Sequence, residues 1–172
     1  SKMEKIKGTG VALVTPFNTD LSIDYVALEK LLNYQIKGGI DYLVLMGTTG
    51  ESSVLSKKEK KEVITFCKKI NAGRLPIILG IGGNNTLALV DEIKATDFTG
   101  IDAVLSVSPC YNKPTQEGIY QHYQVIAEAC PLPIILYNVP GRTSSNMTCG
   151  TTLHLANDFE NIIAIKEASG DM

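Results

Sequence analysis

Six short apolar runs punctuate the chain: "GVALVTPF" (10–17), "DYLVLMG" (41–47), "LPIILGIG" (75–82), "DAVLSVSP" (102–109), "LPIILYNVP" (132–140) and "NIIAIKEA" (161–168). Most are continuous rather than alternating, the pattern of strands buried on both faces, as in parallel sheets. Their ends fall near Val14, Met46, Gly80, Val107, Tyr137 and Lys166, about 30 residues apart, which is the length of one strand–helix unit.

Helical signals fill the gaps. Asp24 is placed to cap a helix in which Leu28, Leu31, Leu32 and Ile36 recur at helical spacing, stopped by Gly38 and Gly39. "SKKE" (56–59) reads as a capping box, with Val63, Phe66, Cys67 and Ile70 as the inward stripe of the helix behind it. A third helix is predicted over Thr86–Thr96 and a fourth over Gln116–Ala129, ended by Pro131; a weaker fifth lies around Thr148–Ala156. Strands alternating with helices predict an α/β fold, either an open doubly wound sheet or part of a (β/α)8 barrel. Length alone favours the open sheet, because complete barrels typically need ~250 residues.

Composition narrows the function. Hydrophobic residues make up 44% and charged residues 20% of 172, with 16 basic against 18 acidic. This near-neutrality argues against a nucleic-acid surface or a polybasic membrane surface, and no apolar run approaches the ~20 residues of a membrane span. Four cysteines without a CxxC pair, beside two histidines, leave little from which to build a zinc site. Scattered thiols of this kind fit a reducing cytoplasm.

In both candidate architectures, sites form at the C-terminal ends of parallel strands. There the chain places "GTTGES" (47–52), "SPCYNKP" (108–114), "YNVPGRT" (137–143) and Lys166 with Glu167. An amine emerging from an apolar run is desolvated, which lowers its pKa and frees it to attack a carbonyl as a Schiff-base nucleophile. Thr48 and Thr49 sit in a glycine turn whose backbone N–H groups suit a carboxylate or phosphate. Tyr137 has the reach to move protons to and from a carbinolamine, and Arg142 follows a Pro-Gly turn with a fork that matches a carboxylate. Tyr111 lies in a Pro-flanked loop, a common setting for an interface or binding residue. Each has a plainer reading alone: a snorkelling lysine, a locally capped loop, a core tyrosine, a solvated arginine. "GIGGNN" (80–85) lacks both GxGxxG spacing and a P-loop lysine, so it reads as a strand-end turn. Taken together, an amine, two threonines, two tyrosines and an arginine at one end of one sheet are the parts for Schiff-base chemistry on an α-keto acid.

The motifs "GTTGE", "YNVPGRT" and "IKEASG", with "SPCYNKPTQEGIYQHYQVIA" between them, resemble the dihydrodipicolinate synthase family of pyruvate-dependent, Schiff-base aldolases, and the resemblance runs from "GTGVALVTPF" to the last residue. It implies a (β/α)8 TIM barrel, truncated to the first six β/α units. Residues 1–172 would then be the N-terminal part of a single barrel domain, with the last two units and a C-terminal helical region absent. It also implies catalytic roles for Lys166 (imine with pyruvate), Tyr137 (proton relay), Thr48 (link between two tyrosines) and Tyr111 (the second tyrosine, reaching a neighbouring subunit's site). Thr49 would cradle the pyruvate carboxylate and Arg142 would hold the carboxylate of L-aspartate-4-semialdehyde. The implied protein is a cytoplasmic homo-oligomer, dimer or tetramer, that needs no metal or organic cofactor and meets neither nucleic acid nor membrane. The resemblance further implies little activity for these six units alone, since missing units would leave the sixth strand with an unpaired apolar edge. Two alternatives stand beside it: a sibling keto-acid aldolase such as N-acetylneuraminate lyase, and a non-catalytic nucleotide-binding module at "GIGGNN". The family's second-tyrosine motif usually carries a tyrosine where this chain has Cys110. Lys57, Lys60 and Ala88 replace the groups found in relatives inhibited by lysine, so weak or absent feedback inhibition is expected.

Overall fold

The computed structural model describes residues 8–47, 54–82, 85–107, 115–138 and 149–167. The chain divides into two compact units, Ser1–Leu79 and Gly80–Met172, each of which is an alternation of parallel strands and helices.

The first unit carries β1 (Gly10–Ala12), α1 (Tyr25–Lys37), β2 (Tyr42–Leu45), α2 (Lys57–Asn71) and the start of β3 (Ile77–Ile81). β1 pairs parallel with β2 through Gly10↔Tyr42, Val11↔Leu43 and Ala12↔Val44, and β2 with β3 through Leu43↔Ile77, Val44↔Ile78 and Leu45↔Leu79. β2 is buried along its whole length, as its continuous apolar run predicts. β1 departs from the expectation. It ends at Ala12 instead of near Val14, and beyond Gly10 its burial alternates: Leu13 and Thr15 are buried, while Ala12 is exposed and Val14 keeps 64% of its surface. Pro16 has no N–H to extend a ladder. Past it the chain turns into a loop closed by the antiparallel bridge Phe17↔Ile23 and by Asn18 N–H donating to the Ser22 carbonyl. Gly10 is fixed by close approach, because a Cβ there would fall 1.9 Å from Cε2 of Tyr42.

Both helices of this unit start where the caps predict. The Asp24 carboxylate accepts from Ala27 N–H at 2.9 Å. Ser56 Oγ accepts from Glu59 N–H while Glu59 accepts from Ser56 N–H, a complete capping box. The rings of Tyr25 and Phe66, with centroids 4.9 Å apart, join α1 to α2. The inward face of α2 differs from the predicted stripe at its last turn: Val63, Cys67 and Asn71 are buried, while Phe66 and Ile70 are half-buried. Asn71 is inside because of what it holds. Its amide donates to the Leu75 carbonyl at 2.8 Å and its oxygen accepts from Leu75 N–H at 3.1 Å, so both backbone groups of one residue are satisfied by one side chain. The clamp closes a turn in which Ala72 (φ 49°) and Gly73 (φ 75°) are both left-handed. Arg74 completes the helix end by donating to the carbonyls of Ile70 and Asn71, where a cation also complements the helix dipole.

The second unit carries α3 (Thr86–Ala95), β4 (Ala103–Val107), α4 (Gln116–Ala129), β5 (Ile134–Asn138), α5 (Cys149–Asp158) and β6 (Ile162–Glu167). β4, β5 and β6 pair parallel in that order. Asn85 caps α3 by accepting from Ala88 N–H, and Thr115 caps α4 by accepting from Gly118 N–H. α4 runs over the predicted residues and ends at Cys130, before Pro131. Its inner face, with Ile119, Tyr123 and Ile126, is almost entirely removed from solvent. Thr151 on α5 donates to Gln116 on α4 at 2.8 Å, and Tyr120 on α4 donates to Asp158 on α5.

Replacing Asn71 by alanine should lower stability by about 1–3 kcal/mol, because it leaves the N–H and C=O of Leu75 without their partner. Urea unfolding checks this. Arg74→Ala, which frees carbonyls nearer to solvent, should cost less.

Candidate active site

The two residues around which the keto-acid chemistry was predicted are neighbours across one pair of strands. In the β5–β6 ladder, Tyr137 is the register partner of Lys166, flanked by Leu136↔Ile165 and Asn138↔Glu167. Val107, the last residue of β4, is in turn the partner of Tyr137. Partners in a parallel ladder share the same phase of the pleat, and adjacent strands are separated by ~4.8 Å. The Lys166 position therefore lies beside that of Tyr137 and two strands from the end of β4. The strand residues leading to this end are apolar: Leu105 on β4 and Ile134, Ile135 and Leu136 on β5 are all buried.

Of the other predicted residues, Thr48, Thr49, Tyr111 and Arg142 lie outside the described residues. The approach to the threonine pair is described. β2 ends at Leu45, Met46 follows with a left-handed φ of 57°, and Gly47 comes next. A Cβ on Gly47 would meet Cγ1 of Val44 at 2.7 Å and Cβ of Ala12 at 3.6 Å. Val44 is buried and stiff at χ1, so the turn into "GTTGES" requires glycine at its first position. A buried non-glycine residue with positive φ is strained, and such strain concentrates at functional turns. The "GIGGNN" segment is a connection from β3 to α3, as predicted: β3 ends at Ile81, and Asn85 is engaged in capping α3.

Three features of this region are not evident in the sequence. The β5–β6 pairing is irregular, stepping from Ile134↔Ile162 to Ile135↔Ala164. The surplus residue, Ile163, is hidden in an unbroken apolar run. Asn161, just before β6, donates through its amide to the carbonyls of Ala127 and Cys130 at the end of α4. His122 is buried on α4, its Nδ1 2.8 Å from Thr86 Oγ1 on α3 and its ring edge-on to Tyr123 at 5.1 Å. Burial alone pushes the imidazole down from its ordinary 6.5 to about 4. Among the described residues, its Nε2 and the Oγ of buried Ser106 have no hydrogen-bond partner. Cys67 and Cys130 are buried thiols, and no cluster of three His, Cys, Asp or Glu is placed to hold a metal ion among the described residues. Among those residues, no helix is long and apolar enough to cross a membrane.

Residues 5–172 match the model of the dihydrodipicolinate synthetase family. The 4-hydroxy-tetrahydrodipicolinate synthase of Flavobacterium psychrophilum is 61% identical over 170 residues, covering 99% of this chain and 58% of that protein. That of Parabacteroides distasonis is 58% identical over 167 residues, covering 97% and 56%. Among solved structures, the chloride-inhibited dihydrodipicolinate synthase of Acinetobacter baumannii complexed with pyruvate superposes with a TM-score of 0.89 at 48% identity, over 96% of this chain and 57% of that one. The chain thus spans less than three-fifths of the length of these relatives. The parallel strands and intervening helices are β/α units of the TIM-barrel fold.

His122 titrates near 6.5 when unfolded and near 4 when folded, so the unfolded chain binds the extra proton between those values. Its contribution to stability is complete above about pH 6.5 and is lost as pH falls toward 4. Stability should drop by about 2 kcal/mol from this group between pH 7 and pH 5. Urea unfolding at the two pH values should show that drop, and His122→Gln, which keeps a hydrogen-bonding group without the titration, should flatten it.

Proposed function

The chain belongs to the dihydrodipicolinate synthetase family, and on that premise we propose that the protein it spans condenses pyruvate with L-aspartate-4-semialdehyde through an imine on Lys166, giving 4-hydroxy-tetrahydrodipicolinate for lysine biosynthesis. The observation that carries the reading is the register pairing of Lys166 with Tyr137 at the C-terminal end of two buried parallel strands. A pyruvate complex of a relative 48% identical to this chain supports the choice of the first substrate.

The chemistry follows from that pairing. The neutral Lys166 amine attacks C2 of pyruvate to form a carbinolamine. The Tyr137 phenol, one strand away, passes a proton to the departing hydroxyl, and water leaves to give the iminium. The positive nitrogen withdraws electrons from the pyruvate methyl, which loses a proton to become an enamine carbon. That carbon attacks the aldehyde of the second substrate. The substrate's own amine then displaces Lys166, closing the ring and releasing the enzyme amine. The iminium is the electron sink, so the reading includes no metal or organic cofactor. In the same reading Thr48 couples Tyr137 to Tyr111, Thr49 and its neighbouring amides cradle the pyruvate carboxylate, and Arg142 receives the carboxylate of the aldehyde substrate. The protein would be a cytoplasmic homo-oligomer, dimer or tetramer, in which Tyr111 reaches a neighbouring subunit. Residues 1–172 would form the N-terminal part of one barrel domain.

Pyruvate and borohydride should leave one reduced pyruvate on Lys166, located by mass spectrometry after digestion, and Lys166→Arg should abolish it. The measurement is made on this chain and on a version extended to the length of its relatives. An extended protein that binds pyruvate elsewhere or not at all would sink the reading. Tyr137→Phe should retain pyruvate binding but slow imine formation by ~10²–10⁴-fold, the usual range for a lost acid–base group.

A further inference from the structure

β6 carries one residue more than β5 needs. Ile134 faces Ile162 and Ile135 faces Ala164, which leaves Ile163 outside the pairing. In a strand with a two-residue period, a slip of one residue moves every following side chain to the other face. Had the pairing continued regularly from Ile134↔Ile162, Ile165 would stand opposite Tyr137 and Lys166 opposite Asn138, in the wrong phase of the pleat. The surplus residue corrects the phase, and Lys166 stands opposite Tyr137.

A surplus residue has this effect only if the start of the strand cannot move. A free strand would slide by one and push the extra residue into the preceding turn. The start of β6 is held from two directions. Ile134 N–H donates to the Asn161 carbonyl at 2.6 Å, and Ile162 N–H donates to the Phe159 carbonyl at 3.1 Å. The two hydrogens of the Asn161 amide go to Ala127 O at 3.0 Å and Cys130 O at 3.2 Å. Those carbonyls belong to the last turn of α4, whose acceptors have no partner within the helix. Sliding β6 by one residue would pull Asn161 off both and expose Ile162, which is buried.

We propose that Asn161 acts as a register lock, a positioning residue that holds the start of β6 so that Ile163 is taken up outside the pairing and Lys166, not Ile165, stands beside Tyr137. The lock is a property of the backbone pairing; only its consequence for catalysis rests on the Schiff-base reading. It also predicts an asymmetry that ordinary packing would not produce. Changes in length upstream of Asn161 should leave the Lys166 position intact, whereas added length between Asn161 and Lys166 should shift it.

The test uses this 172-residue chain, isotope-labelled, with cross-strand backbone NOEs between β5 and β6 as the measure of register and borohydride trapping of pyruvate as the measure of chemistry. Deleting Ile163 removes the surplus without moving either end, so the Tyr137–Lys166 contact should persist. Inserting one glycine after Glu160, upstream of the lock, should also preserve it. Inserting one alanine after Ile163 should bring Ile165 opposite Tyr137, with loss of any adduct on Lys166. Asn161→Ala should split the β6 amide signals between two registers. The lock is overturned if the two insertions act alike, or if deleting Ile163 moves Lys166 away from Tyr137 in a chain that still shows the β4–β5 contacts. Register shifts as stated, in a chain whose extended version takes no pyruvate, support the lock and refute the Schiff-base reading. An adduct on Lys166 that survives the insertion after Ile163 supports that reading and refutes the lock.

Discussion

In a parallel ladder the two partners run the same way, so the chain must travel back the length of a strand before it can pair again. That geometric demand generates most of what the molecule is. It accounts for the spacing of about 30 residues between strand ends, since each return is a helix. The helices cover the strands, so β2, most of β3, and the described side chains of β4 and β5 are buried and must be apolar. Within each unit it also sends the strand ends to one side, so that residues far apart in sequence, such as Tyr137 and Lys166, become neighbours. In such a sheet a polar residue inside a strand stands out. Lys166 is one, and Ser106, buried on β4, is another.

The parts of this arrangement legible in the sequence are those decided by local contacts. Asp24 and Ser56 with Glu59 satisfy helix N–H groups within three residues of themselves, so the cap and the helix it starts can be read together. Pro131 likewise ends α4 by a purely local effect. Strand cores are legible because burial on both faces leaves a continuous apolar run. β1 is the exception that explains the rule. Its residues look like those of β2, but what lies against each face is set by tertiary structure, and composition carries no trace of it. The run therefore predicts a longer and more buried strand than the chain forms.

What the sequence concealed is register. An apolar run such as "IIAIK" reads the same with or without a surplus residue, because a bulge is defined by what stands opposite. The candidate site was legible as a set of residue types and, through family motifs, as a set of roles. That Lys166 falls opposite Tyr137 and not opposite Asn138 is a long-range fact, tied to the hydrogen bonds that Asn161, just before β6, makes to the end of α4. A lysine one phase out of the pleat would have the same sequence neighbours and the same apolar strand behind it, but it would stand opposite Asn138 instead of Tyr137.

Two asparagines solve this class of problem in the same way. A helix that hands the chain to a strand leaves unsatisfied carbonyls at its end, while the strand that follows must begin at a defined residue. A short amide side chain tied to one side of that junction fixes it: Asn71 uses both its donor and its acceptor, Asn161 its two donors. Asn71, the last residue of α2, ties itself to both backbone groups of Leu75, just before β3. Asn161, just before β6, reaches back to the last carbonyls of α4 while its own carbonyl accepts from the first residue of β5. One clamps forward and the other backward, yet each converts a flexible connection into a fixed count of residues. Aspartate would lose the donors and glutamine would add a methylene of slack, so the residue type follows from the geometry. An asparagine between a helical pattern and an apolar run, as Asn71 in "NAGRLPII" and Asn161 in "ENII", is therefore a sequence sign that the register of the coming strand is being set, and in the second case the strand being set is the one that carries Lys166.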